Sequence, residues 1–159
     1  MKGKKPFELT DHILISPSDL NSDWSMHGGR LFYLMDLKAA IVARNHSGYI
    51  SHTVAGSSFK YFNPVNTDHE LIVHAKITRA WNTSMEIRVQ AFRKALDGMR
   101  EPVMTIYLYF VAIEDGKPQQ VPQVLPKTEL EKTEYALADQ RREKIKEFIE
   151  KYIESSYAQ

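Results

Sequence analysis

The stretch from Asn21 to Ala43, NSDWSMHGGRLFYLMDLKAAIVA, limits the fold more than any other part of the chain. A polar loop carries Asn21, a glycine pair (Gly28 and Gly29) stands where a helix begins, and the spacing predicts a helix over about Arg30 to Asn45. Leu31, Phe32, Leu34, Met35, Leu37, Ala39, Ala40, Ile41, Val42 and Ala43 leave that helix without a clear solvent stripe. A helix apolar all round is normally buried, and this one is too short and too interrupted to cross a bilayer. Other elements must therefore wrap around it.

One carboxylate, Asp36, sits inside the helix. Its neighbours at three and four positions are Phe32, Tyr33, Ala39 and Ala40, none of them a cation, and Lys38 points elsewhere. A carboxylate without a partner in apolar surroundings is costly to ionise, which makes it a candidate acid or base. The alternative is that Asp36 faces a wet edge or caps a neighbouring loop.

Composition removes several function classes. With 21 basic and 20 acidic side chains, bulk charge points to no nucleic-acid partner, so any anion site must be local. The absence of cysteine excludes a disulfide framework, a thiolate nucleophile and a zinc–thiolate site. No HExxH or comparable spacing suggests a metal. The start, MKGKKPFELTDH, is basic but lacks the apolar core of a signal peptide. A cytoplasmic protein with no membrane segment is the expectation.

Taken in order, Phe7 to Ile15 reads as a strand, followed by the loop and buried helix. Tyr49 to Phe62 is rich in β-branched and aromatic residues and stops at Asn63-Pro64. Leu71 to Ala80 alternates, with Leu71, Val73, Ala75 and Ile77 on one face and His74, Lys76 and Thr78 on the other. Met85 to Ala91 repeats the pattern, which marks half-buried antiparallel strands. Turn formers separate these segments at Asn66-Thr67-Asp68, Asn82-Thr83-Ser84, Asp97-Gly98 and Asp115-Gly116. Val103 to Ile113 is apolar on both faces, so it needs a second cover. A second subunit is the simplest one, and the C-terminal segment is the alternative. After the linker Val121 to Pro126 comes a charged helix with a capping box at Thr128 and Glu131. Its intermittent apolar stripe is Leu130, Leu137, Ile145, Phe148, Ile149 and Tyr152.

Strand, buried helix, four strands and an outer helix describe an α+β chain of the hotdog type: an antiparallel sheet wrapped around a central apolar helix, with a charged C-terminal helix. The expected boundaries are a domain over 1–126 and a helical extension of the same domain over 127–159.

At this point the chain resembles the acyl-CoA thioesterases of the hotdog superfamily, the single-domain bacterial kind related to cytosolic acyl-CoA hydrolases. The pattern P-S-D-x-N, G-G-x-L, M-D is met by Pro17-Ser18-Asp19-Leu20-Asn21, Gly28-Gly29-Arg30-Leu31 and Met35-Asp36. Thr53, Phe62-x-Pro64-Val65, Asp68, Thr83-Ser84-Met85 and Phe110-Val111-Ala112 extend the match over nearly the whole chain. The departures are Trp24 where the family often has glycine, His27 where it has phenylalanine, and Asn66 where glycine is common. Trp24 would narrow an acyl pocket. His27 is expected to pack in place, the alternative being a polar contribution.

The resemblance implies hydrolysis of an acyl-CoA thioester to a fatty acid and free coenzyme A, without a cofactor, since coenzyme A is part of the substrate. Asp36 would be the general base on water, with direct attack through a mixed anhydride less favoured. Backbone N–H groups at Gly28, Gly29 and Arg30 would polarise the thioester carbonyl from the helix N-terminus. Asn21 would orient the water or donate to the oxyanion, and Thr53 matches a threonine near that water. Asn82, Thr83 and Ser84 would contact coenzyme A, whose phosphates need cations; Lys60, Arg79, Arg141 and Arg142 are available.

Each residue also has a plainer reading: helix entry for the glycines, loop bonding for Asn21, strand propensity for Thr53, and turn chemistry for 82–84. The family's Asn and Asp come from different subunits, which implies a dimer and, beyond it, a hexamer built as a trimer of dimers. One rival is a non-catalytic acyl-CoA-sensing module. The other is a dehydratase, but the six histidines form no matching motif.

Overall fold

The computed structural model describes residues 2–157. Strands β1 (Glu8–Leu14), β2 (Ile50–Gly56), β3 (Glu70–Ala80), β4 (Ser84–Lys94), β5 (Arg100–Glu114) and the short β6 (Lys117–Pro118) form one antiparallel sheet. Its order is β1-β3-β4-β5-β2, with β6 added to β5. Two α-helices lie against it among the described residues, α1 (Gly28–Ser47) on one face of the sheet and α2 (Glu129–Phe148) near the other, with short helical turns at Pro17–Asp19 and, after α2, at Ile149–Ile153 and Glu154–Tyr157. No helix among the described residues is long and apolar enough to cross a membrane.

Helix α1 runs past both expected ends, because both ends are capped. His27 Nδ1 accepts from Gly29 N at 3.1 Å, and Gly48 stops the helix in the left-handed region at φ 83° with its N–H on Arg44 O. The helix buries Leu31, Leu34, Met35, Ala39, Val42 and Ala43 against the alternate residues Leu71, Val73, Ala75 and Ile77 of β3 and Met85, Ile87, Val89 and Ala91 of β4. This is the period of two meeting the period of 3.6. The expected absence of a solvent stripe is corrected. Tyr33, Leu37 and Ile41, one turn apart, stay exposed, because a single sheet covers only one side of a helix.

Strand β2 ends at Gly56, six residues before its expected end at Phe62. Ser57 closes the pairing, its N–H on Tyr107 O and its Oγ accepting from Tyr107 N. The aromatic residues beyond it then turn onto α1. The Phe59 ring lies 6.1 Å from Phe32 and 5.5 Å from Tyr61, whose hydroxyl donates to Gly28 O at 3.1 Å.

Over β3, β4 and the Tyr107–Tyr109 part of β5 the outer face of the sheet is covered by the C-terminal segment, the alternative cover expected from the sequence, while Ile50 and Val54 of β2 stay exposed. Helix α2 supplies the cover through its charges; four of its apolar stripe residues, Leu130, Leu137, Phe148 and Tyr152, remain exposed. Glu86, fully buried, accepts from Thr78 Oγ1 at 2.6 Å, Tyr109 Oη at 2.6 Å, and Arg141 Nη2 and Nε at 2.6 and 3.0 Å. Arg88 pairs with Glu134, and Lys76 with Glu131 at 2.8 Å. The Arg141 guanidinium also lies 4.1 Å from the Tyr107 ring centre. A buried carboxylate with four donors is fully satisfied, which is what makes burying it tolerable. The capping box at Thr128 and Glu131 is present, and the Glu131 carboxyl is held down to about 2 by Lys76 and the Lys127 and Thr128 N–H groups.

Two local features generate tests. His46 is buried at the end of α1, where Nε2 donates to Pro122 O at 2.7 Å and Nδ1 has no partner among the described residues. Burial holds its pKa below the ordinary value, against the opposing pull of the Pro122 bond. The unfolded chain therefore binds the extra proton first. The stability due to neutral His46 is complete above about 6.5 and is lost as pH falls through the folded value. His74, shifted down by burial as well, acts in the same window. Melting temperature should fall more steeply below about pH 6.5 in the wild type than in His46→Gln; parallel curves would refute this account.

Trp24 occupies the left-handed region at φ 57° while its side chain is 75% exposed. Left-handed backbone costs a residue with a Cβ roughly 1–2 kcal/mol, and glycine gives back roughly 0.5–1 kcal/mol of that in entropy. Trp24→Gly should therefore raise stability by about 0.5–1 kcal/mol in denaturant titration, whereas destabilisation would show that the indole packs.

Candidate active site

Asp36 lies two turns into α1, half-buried and beside the exposed Tyr33–Leu37–Ile41 stripe. Thr53 Oγ1 donates to Asp36 Oδ1 at 2.7 Å. Register explains the contact: Thr53 is paired opposite Phe110, which faces the core, so its side chain lies on the α1 side of the sheet, and the pairing with β5 slips only after it. Among the described residues no cation pairs with Asp36, and Lys38 is taken by Asp11. The Asp36 Oδ2 atom accepts nothing among the described residues, which leaves it open to a water.

Asn21 is on an exposed loop at the other end of the site region. Its Oδ1 accepts from Asp23 N at 2.9 Å, Ser25 N at 3.1 Å and Ser25 Oγ at 3.3 Å. Two backbone donors fix which end of the amide is oxygen, so the NH2 group faces away with both its donors unengaged among the described residues. Asn21 thus serves its own loop and still has hydrogen bonds to offer.

A count of the N–H groups that open α1 narrows the oxyanion donors. Arg30 N and Leu31 N donate to His27 O at 2.9 and 3.0 Å, and Gly29 N is taken by the His27 ring. Gly28 N alone lacks a partner among the described residues. His27, expected to pack, is instead exposed and acts as the cap. The signal was readable, since a side chain with an acceptor just before a glycine pair is an N-cap candidate, but histidine is not among the preferred capping residues.

The structure joins Asp36 to Thr53 and holds Asn21 close to Gly28 in sequence and space, through His27 N on Asp19 O. It does not join the two groups within one chain. The eight residues from Gly28 to Asp36 rise about 12 Å along the helix axis.

Asn82, Thr83 and Ser84 form the β3–β4 hairpin. Their carbonyls accept from Val121, Ala112 and Trp81 N–H groups. Ser84 pairs with Val111 of β5, which in turn pairs with His52 beside Thr53, so the hairpin is two strands from Thr53 in an adjoining row. Of the expected cations, Arg79 is held by Asp139 and Arg141 by Glu86. Lys60 lies against the Phe62 ring, and Arg142 against Trp81 next to the hairpin. A cleft of about 340 Å³ brings Ser84 and Arg142 together with Lys146 beside Val54. Lys146 went unnoticed in the sequence, where it is one of many charges on α2.

Residues 25–97 match the family model of the thioesterase superfamily. Protein VdlD of Helicobacter pylori is 34% identical over 140 residues, which covers 86% of this chain and 79% of VdlD. The acyl-CoA hydrolase of Staphylococcus aureus, solved with butyryl coenzyme A, coenzyme A and coenzyme A disulfide, superposes with a TM-score of 0.85 at 32% identity, covering 96% of this chain and 95% of that one. Structures also exist for variants of it with an aspartate, an asparagine or a threonine replaced by alanine. An apo-hexameric acyl-CoA thioesterase gives a TM-score of 0.85 at 30% identity, with 88% of this chain and 91% of that one covered. By sequence over most of its length and by fold, the chain belongs to the hotdog-fold acyl-CoA thioester hydrolases of the thioesterase superfamily.

Proposed function

We propose that the chain hydrolyses acyl-CoA thioesters at a site shared by two copies: Asp36 and Thr53 from one, Asn21 and Gly28 from the other. The observation that carries this is the distance between the two groups along α1. A reacting carbonyl must lie about 3 Å from its oxyanion donor and also from the attacking water. On one helix the backbone positions of Asp36 and Gly28 are separated by a rise of about 12 Å, which a water on Asp36 and a carbonyl on the Gly28 N–H would have to bridge. The uncovered apolar stripe beside Asp36 is the surface against which a second copy would bring its own Asn21 loop.

The chemistry then needs no cofactor. Thr53 orients the carboxylate, and Asp36 removes a proton from the water as its oxygen attacks the thioester carbon. The Gly28 N–H, at the positive end of α1, and the Asn21 amide stabilise the developing oxyanion. Collapse breaks the carbon–sulfur bond, and the coenzyme A thiolate takes the proton from Asp36, leaving fatty acid and free thiol. Arg142, beside Ser84, is the cation proposed to meet coenzyme A phosphates; Lys146 lines the same cleft but lies 3.8 Å from Glu150, which with Glu154 also borders it. The S. aureus hydrolase supports the residue choice: its alanine variants fall on the same three residue types, at the same spacings of 15 and 17 positions as Asn21, Asp36 and Thr53. The hexameric relative supports assembly beyond one chain.

Release of free coenzyme A tests the reading. Asp36→Asn should lower kcat roughly 10²–10⁴-fold, and Thr53→Val less. Loss of an oxyanion donor at Asn21→Ala should cost roughly 10²–10³-fold. Co-expressing the Asn21→Ala and Asp36→Asn chains should restore part of the activity, because mixed assemblies contain intact sites. Two inactive variants that stay inactive when mixed would refute a shared site, and full activity in both would refute the assignment.

A further inference from the structure

A second cleft, of about 400 Å³, opens beside Gly28 at the start of α1. Its inner walls are the buried side chains of Met26, Leu31, Val65 and Val103. Tyr61 and Phe62, both partly exposed, form its mouth. No charged residue lines it. Its volume is at the small end of ligand sites.

Gly28 connects this cleft to the chemistry. Its N–H is the unengaged donor of the helix start, and its carbonyl is held by the Tyr61 hydroxyl at 3.1 Å. The contact is close enough that a Cβ on Gly28 would meet the Tyr61 hydroxyl at 2.8 Å. A thioester whose carbonyl rests on the Gly28 N–H therefore has one substituent next to the cleft. The coenzyme A side carries phosphates, which need cations, and the cleft offers none. The acyl side is apolar and fits.

Resting on the hydrolase reading of the same site, we infer that this cleft holds the acyl group and that Tyr61 sets the longest chain accepted. Tyr61 is suited to be that limit. It belongs to the irregular segment after β2, outside the strand ladder, and it is buttressed by Phe59 edge-on at 5.5 Å, which rests in turn on Phe32. The ring can be cut back without removing a sheet hydrogen bond.

The test uses the full chain and a straight-chain series from acetyl- to palmitoyl-CoA, with wild type, Tyr61→Leu and Tyr61→Ala. Turnover is read as kcat/KM. Equilibrium binding is read in parallel in the Asp36→Asn background, which does not depend on hydrolysis. Melting temperatures and sedimentation record folding and assembly. Truncation should move the preferred chain several carbons longer and lower kcat/KM for the shortest substrates roughly tenfold, in keeping with the discrimination that a methylene earns in an apolar pocket. The binding series should shift the same way. A profile of unchanged shape in both assays, scaled by one factor or accompanied by loss of assembly, would overturn the inference and make Tyr61 a brace for the helix start or for a second copy. If no acyl-CoA is hydrolysed by the wild type but the binding series still shifts, the hydrolase reading fails and the acyl cleft stands.

Discussion

A single sheet can cover only one side of an apolar helix, and most of what this chain does follows from that. Helix α1 buries Leu34, Met35, Ala39 and Val42 against β3, β4 and β5 and leaves Tyr33, Leu37 and Ile41 outside. Burial of apolar area is worth about 25 cal/mol per Å², so an uncovered stripe on a central helix is a surface that gains from a partner. Asp36 flanks that stripe, and the N–H of Gly28 stands two turns away at the end of the same helix. In the proposed shared site, covering the stripe would also bring the second copy's Asn21 and Gly28 to Asp36.

The opposite face of the sheet is held together differently. Helix α2 is docked by Glu86, Arg141, Glu134, Arg88, Lys76 and Glu131, with tyrosine and tryptophan rings under the guanidinium groups. Such a layer depends on its buried charges being paired, because removing one partner leaves another charge buried alone; Arg88 Nε is the atom of these pairs left buried without a partner among the described residues. The apolar residues of α2 meanwhile lie mostly outside the contact. The rule that an apolar stripe marks the buried face fails here. The strands beneath α2 present Lys76, Glu86 and Arg88, and a helix facing charges must answer them with charges.

Much of the candidate site was legible. Asp36 stood out as a carboxylate without a cation in an apolar helix, and its nearest bonded partner proved to be Thr53, which the motif had also marked. The glycine pair marked the helix start, though capping by His27 leaves only the first of its N–H groups free. Strands β3 and β4 were clear because their alternation is strict. The end of β2 was not, because Phe59, Tyr61 and Phe62 have the composition of a strand while serving as an aromatic strap across the helix. Propensity cannot separate those uses, since both reward large flat side chains on a half-buried surface.

The sequence by itself determined the layer architecture, the buried helix and the residue types available for chemistry. Periodicity, glycine and turn residues, and the lack of cysteine are local properties that need no coordinates. Only the tertiary structure decided which of those residues meet. Pairing opposite Phe110 puts Thr53 on the side of Asp36, a histidine ring takes one of three amide donors, and the length of α1 keeps Asp36 and the Gly28 N–H apart. These outcomes depend on distances between segments remote along the chain, and no spacing within one segment encodes them.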